Sequence, residues 1–240
     1  MKTYLSGANG IAEALKKGRG ILKVSRRSGR GAELIAMAEK HGVPVRDVDA
    51  KELSSLNPDH RGFLLETRGG ASPSVRSLEE LFPRTDDNSL IILLDGVTDP
   101  GNLGAVLRSA DQFGADAVVV PRRRSAGSDA NTLSRSSSGA VEWVPLIDVS
   151  NMARALSQLK DQGYWIWGAD MEGSPAPQVN LKGRTALVMG REGQGLHRLI
   201  REQCDGLIRI PTSGKVDSLN VSTAAGILMY ECRRQQGFEY

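Results

Sequence analysis

The residues able to do chemistry are concentrated in three polar segments, each of which follows a run of apolar residues. The first, DPGNLGAVLRSADQFGA, begins at Asp99 and holds Asn102 and Arg108. We expect Asn102 to cap the helix that follows, because an asparagine side chain can accept from the first backbone N–H groups. Arg108 falls outside the apolar stripe of that helix. It is either a solvated surface charge or a guanidinium placed to hold a phosphate or another polar partner.

The second segment, TALVMGREGQGL, leads from an apolar run into three closely spaced glycines, Gly190, Gly193 and Gly195. Glycines at such a junction let backbone amides approach a ligand closely, and a nucleoside-type ligand is favoured, although a plain tight turn uses the same residues. The spacing is GxxGxG. It is neither the GxGxxG fingerprint of dinucleotide-binding oxidoreductases nor a Walker A motif. We expect Glu192 to place a carboxylate inside this turn, directed toward the edge of the sheet.

The third segment, LIRIPTSGKVDSLNVSTAAGILMYE, leaves an apolar run at Ile210 and enters an Ala/Gly-rich helix after Ser218, Leu219 and Asn220. Either Ser218 or Asn220 is suited to cap that helix. The small residues 224–226 predict that the helix packs unusually close to a neighbour.

The three segments lie between elements that the sequence predicts from alternating short apolar runs and amphipathic segments. Strands are predicted at 90–94, 117–120, 165–169, 185–189 and 207–210, and helices at 103–113, 152–162, 196–203 and 222–236. This rhythm predicts an α/β fold with a largely parallel sheet covered by helices on both faces. Ligands bind such sheets outside the carboxyl ends of the strands, where the three segments lie.

A smaller α/β unit is predicted over residues 1–68, followed by a linker at 69–88 and the larger unit at 89–240. The first 68 residues hold thirteen Lys and Arg against eight Asp and Glu, and the rest of the chain is slightly acidic. Seven basic residues and no acid lie between Glu13 and Glu33. Such a segment can neutralise phosphates, although an ordinary solvated face is an equal alternative.

Composition excludes several classes of protein. Two cysteines and three scattered histidines make no zinc cluster and no disulfide framework, so no metal site is expected. The sequence starts without a secretory signal, and the longest apolar run, Leu90–Leu94, is far shorter than a membrane span. The expectation is a soluble cytoplasmic protein that does not bind a membrane.

Taken together, the three segments closely resemble the three motifs of the SPOUT-class SpoU/TrmH family of RNA 2′-O-ribose methyltransferases, in family order. The matching text is DPGNLGAVLRSADQFGA, LVMGREGQGL and IPTSGKVDSLNVSTAAGILMYE. The stretch from YLSGANGIAEALKKG to HRGFLLE resembles the L30e-like RNA-binding domain of the RlmB-type branch, which acts on a guanosine of 23S rRNA. That branch usually has His-Gln-Gly where this sequence has His60-Arg61-Gly62, so Arg61 adds a charge to the region that meets RNA.

The resemblance implies a SPOUT (alpha/beta knot) catalytic domain, with a trefoil knot near the C-terminus, that binds S-adenosylmethionine. Gly190, Ile210 and Leu219 match the family's cofactor-binding positions. The positions that match its catalytic cluster are Asn102, Arg108, Glu192, Ser218 and Asn220. Within that cluster the resemblance gives Arg108 the role of activating the ribose hydroxyl. Because arginine stays protonated, holding the target phosphate and stabilising oxyanion charge suits this side chain better than removing a proton.

The resemblance further implies a homodimer and an RNA partner rather than DNA. The basic residues of one Ser- and Gly-rich loop are predicted to contact that RNA; they are Arg122, Arg123, Arg124 and Arg135. Two other functions stay open from the sequence: the same chemistry on tRNA, and a non-catalytic RNA-binding or ribosome-assembly factor. The tRNA-specific relatives generally lack an L30e-like domain, and all five cluster residues are present here, which favours a catalytically active rRNA methyltransferase.

Overall fold

The computed structural model describes residues 2–18, 20–25, 27, 29–58, 60–68, 75–122, 137, 140–191, 193–215 and 218–238. Residues 2–68 form what is called here the front unit, built on a four-stranded sheet of order β1-β4-β2-β3. Its strands are β1 (Lys2–Leu5), β2 (Ile21–Val24), β3 (Val45–Asp47) and β4 (Phe63–Arg68). Its helices are α1 (Ala8–Lys16), α2 (Arg30–Lys40) and α3 (Ala50–Leu56).

Residues 75–238 form the C-terminal unit, whose six-stranded sheet is parallel throughout and has the order β10-β8-β9-β5-β6-β7. Its strands are β5 (Leu90–Leu94), β6 (Ala117–Pro121), β7 (Leu146–Val149), β8 (Trp165–Pro175), β9 (Thr185–Met189) and β10 (Gly206–Arg209). Its helices are α4 (Leu78–Leu81), α5 (Pro100–Gln112), α6 (Met152–Asp161), α7 (Arg198–Gln203) and α8 (Val221–Gln236).

The apolar strands are buried because helices cover both faces of this sheet. In β5, Leu90, Ile92 and Leu94 face one hydrophobic cluster, which includes α5 and α8. Ile91 and Leu93 face the other, which includes α4 and α6. Side chains alternate across a strand, so a strand with helices on both faces is apolar at every position. The predicted α/β architecture with a parallel sheet is confirmed.

Close approach of α8 to α5 accounts for the small residues at 224–226. A Cβ atom at Gly226 would lie 3.3 Å from the Ser109 hydroxyl on α5, which is tighter than an ordinary contact. The expected close packing of this helix is therefore confirmed, and its neighbour is the helix that carries Arg108.

Two strands differ from the sequence-based expectation. Strand β7 has only four residues, of which Asp148 is exposed, so it offers no apolar run to detect. Strand β8 continues to Pro175 through residues of which only Gly173 is buried, so this part gives no strand signal. Within residues 69–88, α4 forms a helical turn whose two end leucines, Leu78 and Leu81, are buried against the core of the C-terminal unit.

The described ranges contain neither a membrane-spanning helix nor a cluster of side chains suited to a metal ion. No helix there is long and apolar enough to cross a membrane. Nor does that part of the chain bring together three His, Cys, Asp or Glu side chains in a group able to hold a metal ion.

Arg233 fastens α8 to the start of the parallel sheet. Its guanidinium donates to the carbonyl oxygens of Phe113 (2.8 Å), Asn88 (2.6 Å) and Gly114. Removing it takes away three hydrogen bonds, of which only the one to Phe113 is partly buried, so we expect Arg233→Ala to lower the free energy of unfolding by about 1 kcal/mol. Urea titration measures this change, with Arg198→Ala, an exposed arginine on α7, as the control. Equal midpoints for the two variants would contradict the assigned role.

Candidate functional site

The candidate site lies at the carboxyl edge of the parallel sheet, where three strands end. Asp95 follows β5, Gly190 follows β9 and Ile210 lies one residue beyond Arg209, the last residue of β10. Strands β5 and β9 are neighbours, with Leu94 opposite Met189, and the Asp95 backbone N–H donates to the Met189 carbonyl at 2.7 Å. The polar segments identified in the sequence therefore meet at one edge, where α/β sheets bind their ligands.

Gly190 begins a tight turn that only glycine can occupy. A Cβ atom here would lie 2.3 Å from the Gly195 carbonyl carbon and 2.5 Å from the Leu196 nitrogen. The turn is closed by two backbone hydrogen bonds of 2.9 Å between Arg191 and Gly195. Gly193 and Gly195 both have positive φ, which side chains disfavour. The turn presents bare backbone to the sheet edge, and this geometry suits a ligand held by main-chain groups.

Asp95 and His197 form a contact that the sequence did not reveal. The buried Asp95 carboxylate accepts from the His197 backbone N–H at 2.8 Å, and its other oxygen lies 2.8 Å from the imidazole Nδ1. Asp95 thereby ties the residue just after the glycine turn to the end of β5. An acidic residue directly after the buried run LIILL was the available signal, but its partner lies 102 residues away.

Asp99, rather than Asn102, caps the helix that carries Arg108. Its Oδ1 accepts from the Asn102 backbone N–H at 2.7 Å, and α5 begins at Pro100. The predicted cap at Asn102 was wrong because the helix starts three residues earlier, with proline at its first position, where no N–H is needed. The Asn102 side chain instead pairs with the third segment: its Oδ1 accepts from the Asn220 Nδ2 at 3.0 Å.

Asn220 links the first and third segments and caps α8. Its Oδ1 accepts from the backbone N–H groups of Ser222 (2.9 Å) and Thr223 (3.4 Å) while its amide donates to Asn102. Of the two expected capping candidates, the structure therefore selects Asn220.

Asn220→Ala should lower the free energy of unfolding by about 1 kcal/mol, because the helix loses its cap. Asn102→Ala removes the same inter-loop hydrogen bond but leaves the cap in place. Thermal or urea unfolding of the two variants separates the contribution of the helix cap from that of the hydrogen bond between the loops. A larger loss of unfolding free energy for Asn102→Ala than for Asn220→Ala would contradict the capping role of Asn220.

Arg108 is exposed on the third turn of α5, and its guanidinium has no hydrogen bond or ion pair with any residue in the described part of the chain. It lies six residues beyond Asn102, which is about 9 Å along the helix and on a different face. Within one chain, Arg108 is therefore not in contact with the Asn102–Asn220 pair. An exposed guanidinium with no ion-pair partner among the described residues is suited to meet an anion.

The remaining predicted site residues are placed as follows. Ile210 is half-buried against the hydrophobic cluster of α5 and α8, while Leu219 and Ser218 are exposed in the loop before α8. Glu192 lies outside the described residues, as do the basic loop residues Arg123, Arg124 and Arg135. Arg122 is described and exposed, and its backbone N–H donates to the Val149 carbonyl at 2.9 Å.

Neither cysteine is suited to nucleophilic chemistry. Burial raises the pKa of Cys204 and of Cys232 to about 11, so both thiols are protonated near neutral pH.

Solved structures with the same architecture give the class of protein. An RNA 2′-O ribose methyltransferase superposes with a TM-score of 0.78 at 30% identity, covering 98% of this chain and 88% of its own. The SpoU methyltransferase AviRb of Streptomyces viridochromogenes, solved with S-adenosylmethionine, has a TM-score of 0.77 at 23% identity and covers 98% of this chain and 90% of its own, which shows the shared fold. Fold and site together define an S-adenosylmethionine-dependent RNA methyltransferase.

The family follows from the sequence. The profile of the SpoU rRNA Methylase family matches residues 89–230. The 23S rRNA (guanosine-2′-O-)-methyltransferase RlmB of Pseudomonas aeruginosa is 42% identical over 217 residues, which cover 90% of this chain and 87% of that protein. The chain belongs to the SpoU rRNA Methylase family.

Proposed function

We propose that this protein transfers the methyl group of S-adenosylmethionine to the 2′-hydroxyl of one guanosine in 23S rRNA. The observation that carries the proposal is the meeting of the Gly190 turn, the end of β10 and the Asn102–Asn220 pair at one sheet edge, next to the helix that bears Arg108. The similarity to the P. aeruginosa enzyme extends through the front unit as well as the sheet, which supports an rRNA rather than a tRNA substrate.

The residues at the edge fit the methyl donor. The bare backbone around Gly190 leaves room that a Cβ atom would fill, so main-chain groups can bind an adenosine closely. Ile210 and Leu219 offer half-buried and exposed apolar surface for the faces of the adenine ring. When bound, S-adenosylmethionine supplies a methyl group on a positively charged sulfur.

Arg108 acts on the acceptor side of the reaction. A ribose hydroxyl is a poor nucleophile until its proton leaves, and negative charge develops on its oxygen as it attacks. Arg108 keeps its charge, so it holds the phosphate of the target nucleotide and stabilises that developing charge. In this proposal Asn102 and Asn220 orient the arginine. Glu192 and Ser218 fix the positions of the polar side chains in the cluster.

A second copy of the chain completes this site in our proposal. Within one chain Arg108 lies on a different face from the Asn102–Asn220 pair, which supports an arrangement in which one protomer supplies the arginine and its partner the loops. Helix α8 also exposes Ile227 and Tyr230, which are 40% and 49% accessible, as expected for a face that pairs with another protomer. Sedimentation at micromolar concentration tests for the homodimer.

Two further features of the fold belong to the proposal. The front unit, with its four-stranded mixed sheet and seven basic residues between Glu13 and Glu33, is taken as an L30e-like RNA-binding domain. The second feature is the C-terminal trefoil knot, which the resemblance to the SpoU/TrmH family implies. Since rRNA is the substrate, we place the reaction in the cytoplasm.

Incubation with radiolabelled S-adenosylmethionine tests the activity directly. Purified protein is given 23S rRNA transcript, bulk tRNA and large-subunit particles in separate reactions. We expect label on 23S rRNA or its particle at one alkali-resistant linkage, the mark of a 2′-O-methyl group. Label confined to tRNA would contradict the proposal that 23S rRNA is the substrate. Intact RNA binding with no label on any RNA would favour a non-catalytic assembly factor.

A further inference from the structure

A cleft of about 370 Å³ lies between the front unit and helix α5. Its walls include Glu13 from α1, Arg108 and Asp111 from α5, and Trp143. The volume falls at the lower end of the range for small-molecule sites, about 300 to 1,000 Å³, which suits a single nucleoside. Arg108, which the proposed function places at the reacting atoms, therefore lines this cleft. Residues of both the front unit and the C-terminal unit form its walls.

Trp143 is held in place by the front unit. Its indole Nε1–H donates to the Glu13 carboxylate at 2.6 Å, and the Lys17 ammonium lies 4.0 Å from the centre of its ring. The side chain stays 43% accessible. A fixed, partly exposed indole at the wall of a cleft is suited to stack on a base, as aromatic side chains do with unstacked nucleotides in RNA.

Asp111 has free hydrogen-bonding capacity on the same wall. It follows Arg108 by three residues, so the two side chains lie on the same face of α5. One carboxylate oxygen accepts from the Gln112 Nε2 at 3.2 Å, and the other receives no hydrogen bond from the residues that the structure describes. No ion pair joins Asp111 to Arg108. The Arg108 guanidinium and the Asp111 carboxylate thus line the same cleft without forming a salt bridge with each other.

We propose, resting on the methyl transfer proposed above, that this cleft binds the base of the target nucleotide and that Asp111 makes it selective for guanine. The Watson–Crick edge of guanine presents two adjacent donors, N1–H and the 2-amino group, which one carboxylate can accept together. Adenine presents an acceptor at N1 that a carboxylate repels. With the base stacked on Trp143 and its edge on Asp111, the ribose and phosphate lie on the Arg108 side.

Glu13 has a different task in this arrangement. Its carboxylate already accepts from Trp143 and from the Lys16 ammonium, at 2.6 Å each. It fixes the stacking wall and keeps the front unit against the cleft, whereas Asp111 contacts the base.

Replacing the target base tests the selection. Once the methylated position is mapped, three RNAs carry guanosine, inosine or adenosine there. The wild-type protein should methylate the inosine and adenosine RNAs about 10- to 100-fold more slowly, the range for losing one good base contact. Asp111→Asn offers one donor and one acceptor, which match adenine, so its preference for guanosine over adenosine should fall to about one or below. The control is Asp161→Asn, an exposed residue at the end of α6, which should keep the wild-type preference.

Trp143 gives a second, independent readout. Trp143→Ala should slow methylation of all three RNAs by about 5- to 100-fold through lost stacking, and Trp143→Phe should recover most of it. Wild-type rates in Trp143→Ala would overturn the proposal. So would an unchanged guanine preference, or an equal loss on all three RNAs, in Asp111→Asn. In each of these cases, the proposed methyl transfer would still hold as long as the wild-type protein methylates the guanosine RNA. If the wild-type protein labels none of the three RNAs, both the proposed methyl transfer and the guanine-selective cleft are overturned.

Discussion

Arg108→Ala should lower the rate of methyl transfer by about 100- to 1,000-fold while leaving the affinity for S-adenosylmethionine near the wild-type value. The expected loss is that of removing one preorganised group that stabilises charge in a transition state. Arg108 is exposed and without a partner in the described part of the chain, so its removal opens no cavity and leaves no buried acceptor unpaired. Its position on α5, away from the Gly190 turn, predicts that cofactor binding does not depend on it.

Two measurements separate the roles assigned to Arg108 and to the loops. Single-turnover transfer to mapped 23S rRNA reports the chemical step, and calorimetry reports S-adenosylmethionine binding. Arg108→Lys keeps the charge but loses the two-pronged geometry that suits phosphate, so it should recover activity only in part. Arg154→Ala, at an exposed position on α6, serves as the control. Lost cofactor binding in Arg108→Ala would contradict this division of roles.

The sequence allowed the edge of the sheet to be predicted, because buried parallel strands and the loops that follow them have local signatures. Leu90–Leu94 is apolar at every position since both of its faces are covered. The run ends at Asp95, where the polar edge begins. The glycines at 190, 193 and 195 indicated a tight turn, and the turn is there. These features are decided within a few residues of chain.

Contacts between distant residues could not be predicted in this way. The pairing of Trp143 with Glu13 joins residues 130 positions apart, and that of His197 with Asp95 spans 102. Nothing local distinguishes Glu13 from any other acid on an amphipathic helix. The cap at Asp99 was missed for a subtler reason: Asp99 and Asn102 both suit a cap, and only the position of Pro100 in the first turn decides between them.

Gly190→Ala should weaken S-adenosylmethionine binding by about 100-fold or more and abolish methylation at ordinary cofactor concentrations. The added Cβ atom would meet Gly195 and Leu196 at 2.3 to 2.5 Å. These are backbone atoms that cannot rotate away, so the turn itself has to move. Displacing a binding loop by about 1 Å is enough for a loss of this size. The hydrogen bonds between Arg191 and Gly195 are the ones most directly broken.

The control adds the same methyl group where there is room for it. Among the described residues no atom lies within 4 Å of a Cβ at Gly214, and its φ is not positive, so Gly214→Ala should bind the cofactor as the wild type does. Circular dichroism and thermal unfolding establish that Gly190→Ala is folded before its affinity is measured. Wild-type affinity in a folded Gly190→Ala protein would contradict the assigned binding role of the turn.

Gly190→Ala and Arg108→Ala together also decide whether one site draws on two chains. Each variant alone is expected to be inactive, one through its cofactor loop and the other through its arginine. A mixed dimer contains one Arg108→Ala chain and one Gly190→Ala chain. If the arginine acts across the dimer, one of its two sites is complete, because the Arg108→Ala chain supplies an intact cofactor loop and the Gly190→Ala chain supplies an intact arginine. Random mixing should then restore about a quarter of the wild-type activity, since half of the dimers are mixed and each has one complete site of two. If both groups come from the same chain, every site is defective and mixing restores nothing.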